Sequence, residues 1–175
     1  VKPPFAGGVR QFAYVVNDLD ATLDAWLQLG VGPWFVLRAF RVAGAEYRGE
    51  PHEPLITMAF ANTGEMQIEV ISLQDDTPSV WKEFLDSARE GFHHVAYWSH
   101  DYAAEVARAT ELGWRRTQYG PQPFVYLESD SPLHGMVEIM AMNDRLESYT
   151  AAIRRAAAEW DGISDPVRTY PPATT

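Results

Sequence analysis

Gln11-Phe12-Ala13-Tyr14-Val15-Val16-Asn17-Asp18 and His94-Val95-Ala96-Tyr97-Trp98-Ser99-His100-Asp101 are one pattern written twice, 83 residues apart. The correspondence runs on to Ala21/Ala104 and to Leu29-Gly30/Leu112-Gly113. Each copy then reaches a short apolar stretch holding one carboxylate, Ile68-Glu69-Val70-Ile71 in the first and Val137-Glu138-Ile139-Met140 in the second. A duplicated unit places equivalent residues about a pseudo-twofold axis. Gln11, Glu69, His94 and Glu138 are therefore expected to meet.

Working outward, residues 9–16 read as a strand, and Asp18 is a suitable N-cap because its carboxylate accepts from free amides of the next turn. Leu19, Leu23, Trp26 and Leu27 recur at helical spacing, and Gly30 ends that helix. Strands follow at 33–42, 55–61 and 65–73, the last two joined through Asn62-Thr63-Gly64. This is a β-α-β-β-β unit, interrupted by a polar loop at 44–54. The second copy repeats it, with a strand at 92–98, a helix at 101–112 and strands at 114–119, 124–128 and 136–142. The spacing thus divides the chain into a first module (9–73), a helical linker (74–91), a second module (92–142) and a C-terminal helix with an extended tail (143–175).

Composition narrows the function. Hydrophobic residues make up 46% of the 175, with six Trp, eight Tyr and eight Phe, which excludes disorder for most of the chain. A net charge of −10 argues against nucleic acid and against an anionic membrane surface, both of which would repel it. There is no cysteine, hence no disulfide framework and no thiolate nucleophile. No apolar run has the length of a signal peptide or a membrane span, so the expected location is the cytoplasm.

Strand residues two apart share a face. Gln11, Ala13 and Val15 go together, as do His94, Ala96 and Trp98, while His93 is expected to point away. Glu69 shares its face with Gln67 and Ile71, and Glu138 with Met136 and Met140. A carboxylate among Ile, Val and Met is costly unless something compensates its charge. One such Glu ordinarily pairs with an Arg or lies on a solvent face; His94 by itself would be a core histidine, and Gln11 an ordinary amide. Recurrence at equivalent points of the repeat favours a shared partner, and a divalent metal ion is the economical one.

With paired β-α-β-β-β units, a polar residue near the start of each first strand and a Glu in each last, residues 9–142 resemble the vicinal oxygen chelate superfamily of glyoxalase, bleomycin-resistance and extradiol-dioxygenase proteins. Val15-Val16-Asn17-Asp18-Leu19-Asp20-Ala21 and His94-Val95-Ala96-Tyr97 are typical of it. The resemblance implies an α+β fold: two βαβββ modules forming a cupped eight-stranded mixed sheet around a cleft, with a metal at its floor, plus the C-terminal helix. It implies Gln11, Glu69, His94 and Glu138 as the ligands, a set similar to that of the eukaryotic-type glyoxalase I enzymes. Such a donor set suits Zn, Ni, Co, Mn or Mg. A homodimer is also implied.

The implied activity is that of a glyoxalase-like lyase, isomerase or epimerase, moving a proton next to a metal-chelated carbonyl of a small molecule, with Glu69 and Glu138 as catalytic acid and base. Extradiol oxygenation uses two His and one carboxylate, whereas this site offers one His and two Glu. The alternative is a non-catalytic small-molecule binding or sequestering protein with an aromatic cleft. Trp34, Phe35, Phe60, Trp98, Phe124 and Met140 are candidates to line that cleft, although aromatics at strand positions are ordinarily core. His134, just before the last strand, is a candidate substrate-binding or acid/base group. Arg38, Arg41, Arg48, His52 and Arg115-Arg116 are candidates for an anionic group, with solvated surface charge as the ordinary reading.

Overall fold

The computed structural model describes residues 3–121, 123–130 and 135–173. The first module contains β1 (Gln11–Val15), α1 (Leu19–Gln28), β2 (Trp34–Arg41), β3 (Glu46–Tyr47), β4 (Glu50–Pro51), β5 (Leu55–Thr63) and β6 (Met66–Leu73). Helix α2 (Val80–Asp86) leads to β7 (Gly91–Ser99), α3 (Tyr102–Glu111), β8 (Arg115–Gly120), β9 (Phe124–Glu128) and β10 (Met136–Ala141). Helix α4 (Asp144–Glu159) and a short β11 (Val167–Thr169) complete the chain.

Local chemistry sets the helix starts. Asp18 accepts from the Ala21 amide at 3.0 Å, Ser79 from Lys82 at 3.1 Å, and Asn143 from Leu146 at 3.0 Å; each supplies an acceptor for an amide that has none within its helix.

The strands form one mixed sheet in the order β11-β2-β5-β6-β1-β7-β10-β9-β8-β3-β4. Its two halves are built alike. β1 runs parallel to β6 and β7 parallel to β10, while β6–β5, β5–β2, β10–β9 and β9–β8 are antiparallel. The halves join at the antiparallel β1–β7 pair. This is the α+β fold the repeat implies, with three short strands added. Two of them lie in the 44–54 segment expected as a loop. There β3 pairs with β8, so a piece of the first module is stitched to the far side of the second. The third comes from the tail, where β11 pairs in parallel with β2.

The alternation of the strands sorts their side chains into two layers. On the outer face of the first half, Val16, Leu19, Leu23, Trp34, Val36, Ile68 and Val70 pack around α1. In the second half, Ala109 of α3 packs on Val125, Leu127 and Ile139. On the concave side, Val80, Trp81 and Phe84 of α2 fill one end of the cleft with Val15, Ile56, Ile71 and Tyr126. The opposite end is left for the site.

Candidate functional site

Two adjacent rows of side chains across the concave face carry the site. One row, set by strand register, runs Asn62–Gln67–Gln11–Ala96–Glu138–Tyr126–Gln118. The next runs Phe35–Phe60–Glu69–Ala13–His94–Met136. Gln11 and Glu138 therefore flank Ala96, and Glu69 and His94 flank Ala13. Both alanines are wholly buried. Their small side chains leave the space into which the four longer ones lean.

Glu69, His94 and Glu138 converge so closely that one ligand atom from each lies within 4.8 Å of the others. His94 Nε2 is 3.4 Å from Glu138 Oε2 and 3.6 Å from Glu69 Oε2. This nitrogen is buried and has no hydrogen-bond partner among the described residues. Gln11 stands beside them, and its Nε2 donates to Gln67 Oε1 at 2.9 Å. That bond leaves the Gln11 carbonyl oxygen, which too is buried, without a donor among the described residues. Burial first, and then the charge of Glu138, holds the Glu69 carboxyl well above the ordinary carboxylate range. Tyr126, beneath them, has its phenol raised by burial and by both carboxylates. Among the described residues, buried acids with no Lys or Arg partner, an imidazole nitrogen without a partner and an unsatisfied amide oxygen make a donor set that a divalent cation fits.

The structure corrects the expectation for His93. Ala13 pairs with His94 and Tyr14 with Phe92, so β7 carries one extra residue at this point, a β-bulge. Instead of pointing away, His93 lies buried with its ring edge-on to Phe84 at 5.0 Å and to His94 at 5.1 Å. The two Nδ1 atoms are 2.9 Å apart. Burial, and next the His94 ring, keeps His93 well below the usual imidazole range, hence neutral. If His94 offers Nε2 to a cation, its proton sits on Nδ1 and is donated to His93 Nδ1.

The aromatic candidates divide. Trp34 is not in the cleft: it is fully buried in the α1 core, and its indole N–H donates to Val31 O at 3.0 Å. Strand alternation decides this, because its neighbour Phe35 takes the concave face. Phe60 is paired with Glu69 across β5 and β6. Trp98, Met140 and Phe124 form a further row across β7, β10 and β9, with Phe124 leaning onto the α2 end of the cleft. His134 lies outside the described residues.

The basic candidates are tied up elsewhere. Arg38 pairs with Asp20 at 3.2 Å, Arg41 with Asp75 at 3.5 Å, Arg48 with Glu83 at 2.9 Å, and Arg115 with Asp130 at 3.1 Å. Arg116 stacks on Tyr119 at 4.0 Å, and the ring of His52 is 6.1 Å from that of Tyr47. Tyr170, not anticipated from sequence, comes from the tail. Its ring packs on Phe60 at 5.2 Å and on Tyr149 of α4 at 5.6 Å. Burial, Tyr149 and Glu69 push its phenol up to about 12. The tail thus covers the cleft beside Glu69.

Against this geometry, the family profile described as the Glyoxalase/Bleomycin resistance protein/Dioxygenase superfamily matches residues 10–124. The chain belongs to that superfamily. Among solved structures, this superfamily member is similar to a hypothetical protein from Bacillus halodurans C-125, at 17% identity and a TM-score of 0.57, over 78% of this chain and 95% of that one. It is also similar to methylmalonyl-CoA epimerase from Mycobacterium tuberculosis, at 18% identity and a TM-score of 0.54, over 80% and 91% of the two chains. These likenesses are of fold. No curated protein matches the chain. Among the described residues, no helix is long and apolar enough to cross a membrane.

Proposed function

We propose that this protein is a metal-dependent enzyme of the epimerase, isomerase or lyase type that shifts a proton beside a carbonyl of a small molecule. The observation that carries this reading is the meeting of Glu69, His94 and Glu138 from both modules within 4.8 Å, with no Lys or Arg among them. Gln11, Glu69, His94 and Glu138 would hold the cation, one of Zn, Ni, Co, Mn or Mg. A bound divalent cation polarises a carbonyl and acidifies the neighbouring C–H. Glu69 on β6 and Glu138 on β10 stand on opposite sides of the β1–β7 pair and so address opposite faces of a substrate carbon. One takes the proton from one face while the other delivers it to the second, as an epimerase requires. Phe60, Met140 and Trp98 line the approach and keep water from the reacting carbon. The similarity to an epimerase structure supplies the fold on which this chemistry is proposed. We further propose a cytoplasmic homodimer acting on a small molecule.

The test has two parts. Metal analysis after incubation with each candidate ion should give one ion per chain, and a chain that takes up none would favour the non-catalytic binding protein. In the metal-loaded protein, Glu69→Gln and Glu138→Gln should each slow solvent-deuterium exchange at a ketone α-carbon by at least about 100-fold. Exchange retained in both variants would remove the two carboxylates from the proton transfer.

A further inference from the structure

A cavity of about 440 Å³ opens where β1 begins and where β5, β7 and β10 end, lined by Arg10, Asn62, Trp98 and Met142 and roofed by Thr150 and Arg154 of α4. Its charges are unevenly matched. Glu65 is held by Arg154 at 2.5 Å, and Glu147 faces His100 at 3.5 Å. Arg10 has no carboxylate partner among the described residues; its guanidinium lies over the Trp98 ring, 5.2 Å from the centroid. Arg10 Nε and Trp98 Nε1 are both buried donors with no acceptor among the described residues. With both lining carboxylates engaged by Arg154 and His100, the Arg10 guanidinium is the cavity's cation left without an acidic partner among the described residues. Desolvated donors left without acceptors are costly. A carboxylate answers both, since its two oxygens match the planar guanidinium fork.

The cavity leads to the site. Asn62, its own Oδ1 without a donor among the described residues, lies next to Gln67 and then Gln11 in the row that continues to Glu138 and Tyr126. Trp98 lies two residues beyond Ala96 and four beyond His94, or roughly 7 and 13 Å along the strand. A molecule reaching both places must therefore carry its carboxylate well apart from its chelating oxygens.

We propose that this cavity is a carboxylate subsite, in which Arg10 and the Trp98 indole N–H take the distal carboxylate of an elongated substrate whose vicinal oxygens lie at Gln11, Glu69, His94 and Glu138. The assignment of the vicinal oxygens rests on the metal-enzyme reading above; the carboxylate subsite does not. The probes are 2-oxoadipate and 2-oxohexanoate, which share the 2-oxo acid head and differ in the distal carboxylate. Binding is followed by calorimetry to the full chain, both metal-free and loaded with Mn. The wild-type protein is expected to bind 2-oxoadipate at least tenfold more tightly than 2-oxohexanoate. Arg10→Gln should bring the two within twofold, Arg10→Lys should keep part of the preference, and Trp98→Phe should weaken 2-oxoadipate severalfold. A preference that depends on Arg10 and survives in a chain unable to take up metal sustains the subsite and defeats the metal reading alone. Equal binding of the two acids, a preference unchanged in Arg10→Gln, or no binding of 2-oxoadipate at millimolar concentration would overturn the subsite.

Discussion

Glu69 illustrates how a single side chain ties the site to stability. Its carboxyl is held above its ordinary value of 4.5 by burial and by Glu138. Below about pH 4.5 the group is protonated in both folded and unfolded chains, so it imposes no penalty. As the pH rises toward the folded-state value, the unfolded chain ionises first, and the metal-free protein loses stability. Glu69→Gln abolishes that loss. Thermal melts should therefore show the metal-free variant above the wild type at pH 8 and level with it at pH 4, and added divalent metal should reverse the order at pH 8. Ala96 supplies a complementary test. It lies between Gln11 and Glu138, and Ala96→Leu would fill the space where those side chains lean together. The variant should fold with a loss of about 1–3 kcal/mol in unfolding experiments, yet take up no metal by equilibrium dialysis.

Among the elements, β7 is the one whose shape matters most. Its bulge brings His93 and His94 to the same side and backs one imidazole with the other. Removing a partner behind a ligand typically weakens metal binding 10–100-fold. His93→Phe should show that loss in a chelator competition, and His93→Gln, which still offers a polar group to Nδ1, should recover part of it. The bulge also marks where reading the sequence stops. The duplication makes Gln11, Glu69, His94 and Glu138 legible, because they recur at equivalent points of the two modules and strand alternation gives each a face. A bulge, by contrast, depends on how two strands pair across the sheet, and Phe92-His93-His94 contains no glycine or proline to announce it. Trp34 failed for a related reason: the aromatic pair Trp34-Phe35 fits either face, and only the position of α1 selects between them. Arg10 is not legible in the sequence, because a lone arginine is informative only once the nearby carboxylates are seen to be engaged by other groups. Tyr170 lies 28 residues beyond the end of the repeat, where duplication has nothing to say.

For the molecule as a whole, the site is a joint between two halves, so occupying it should strengthen the entire fold. At a free-metal concentration 100-fold above Kd, linkage gives about 2.7 kcal/mol. Calorimetry should then show Tm rising by roughly 5–10 °C at 2–4 °C per kcal/mol for a chain of this size, with EDTA returning it to the starting value. A Tm unmoved by every candidate ion would count against metal held between the halves. The ends of the sheet have a different consequence. One margin is the two-residue β4, which includes Pro51; the other is the three-residue β11, flanked by Pro166 and Pro171. Such stubs offer a neighbouring chain almost no free backbone to hydrogen-bond. Strand-by-strand growth is thus disfavoured at both stubs, whereas Phe12 and Phe92, at 36% and 48% exposure, present an apolar patch elsewhere on the molecule.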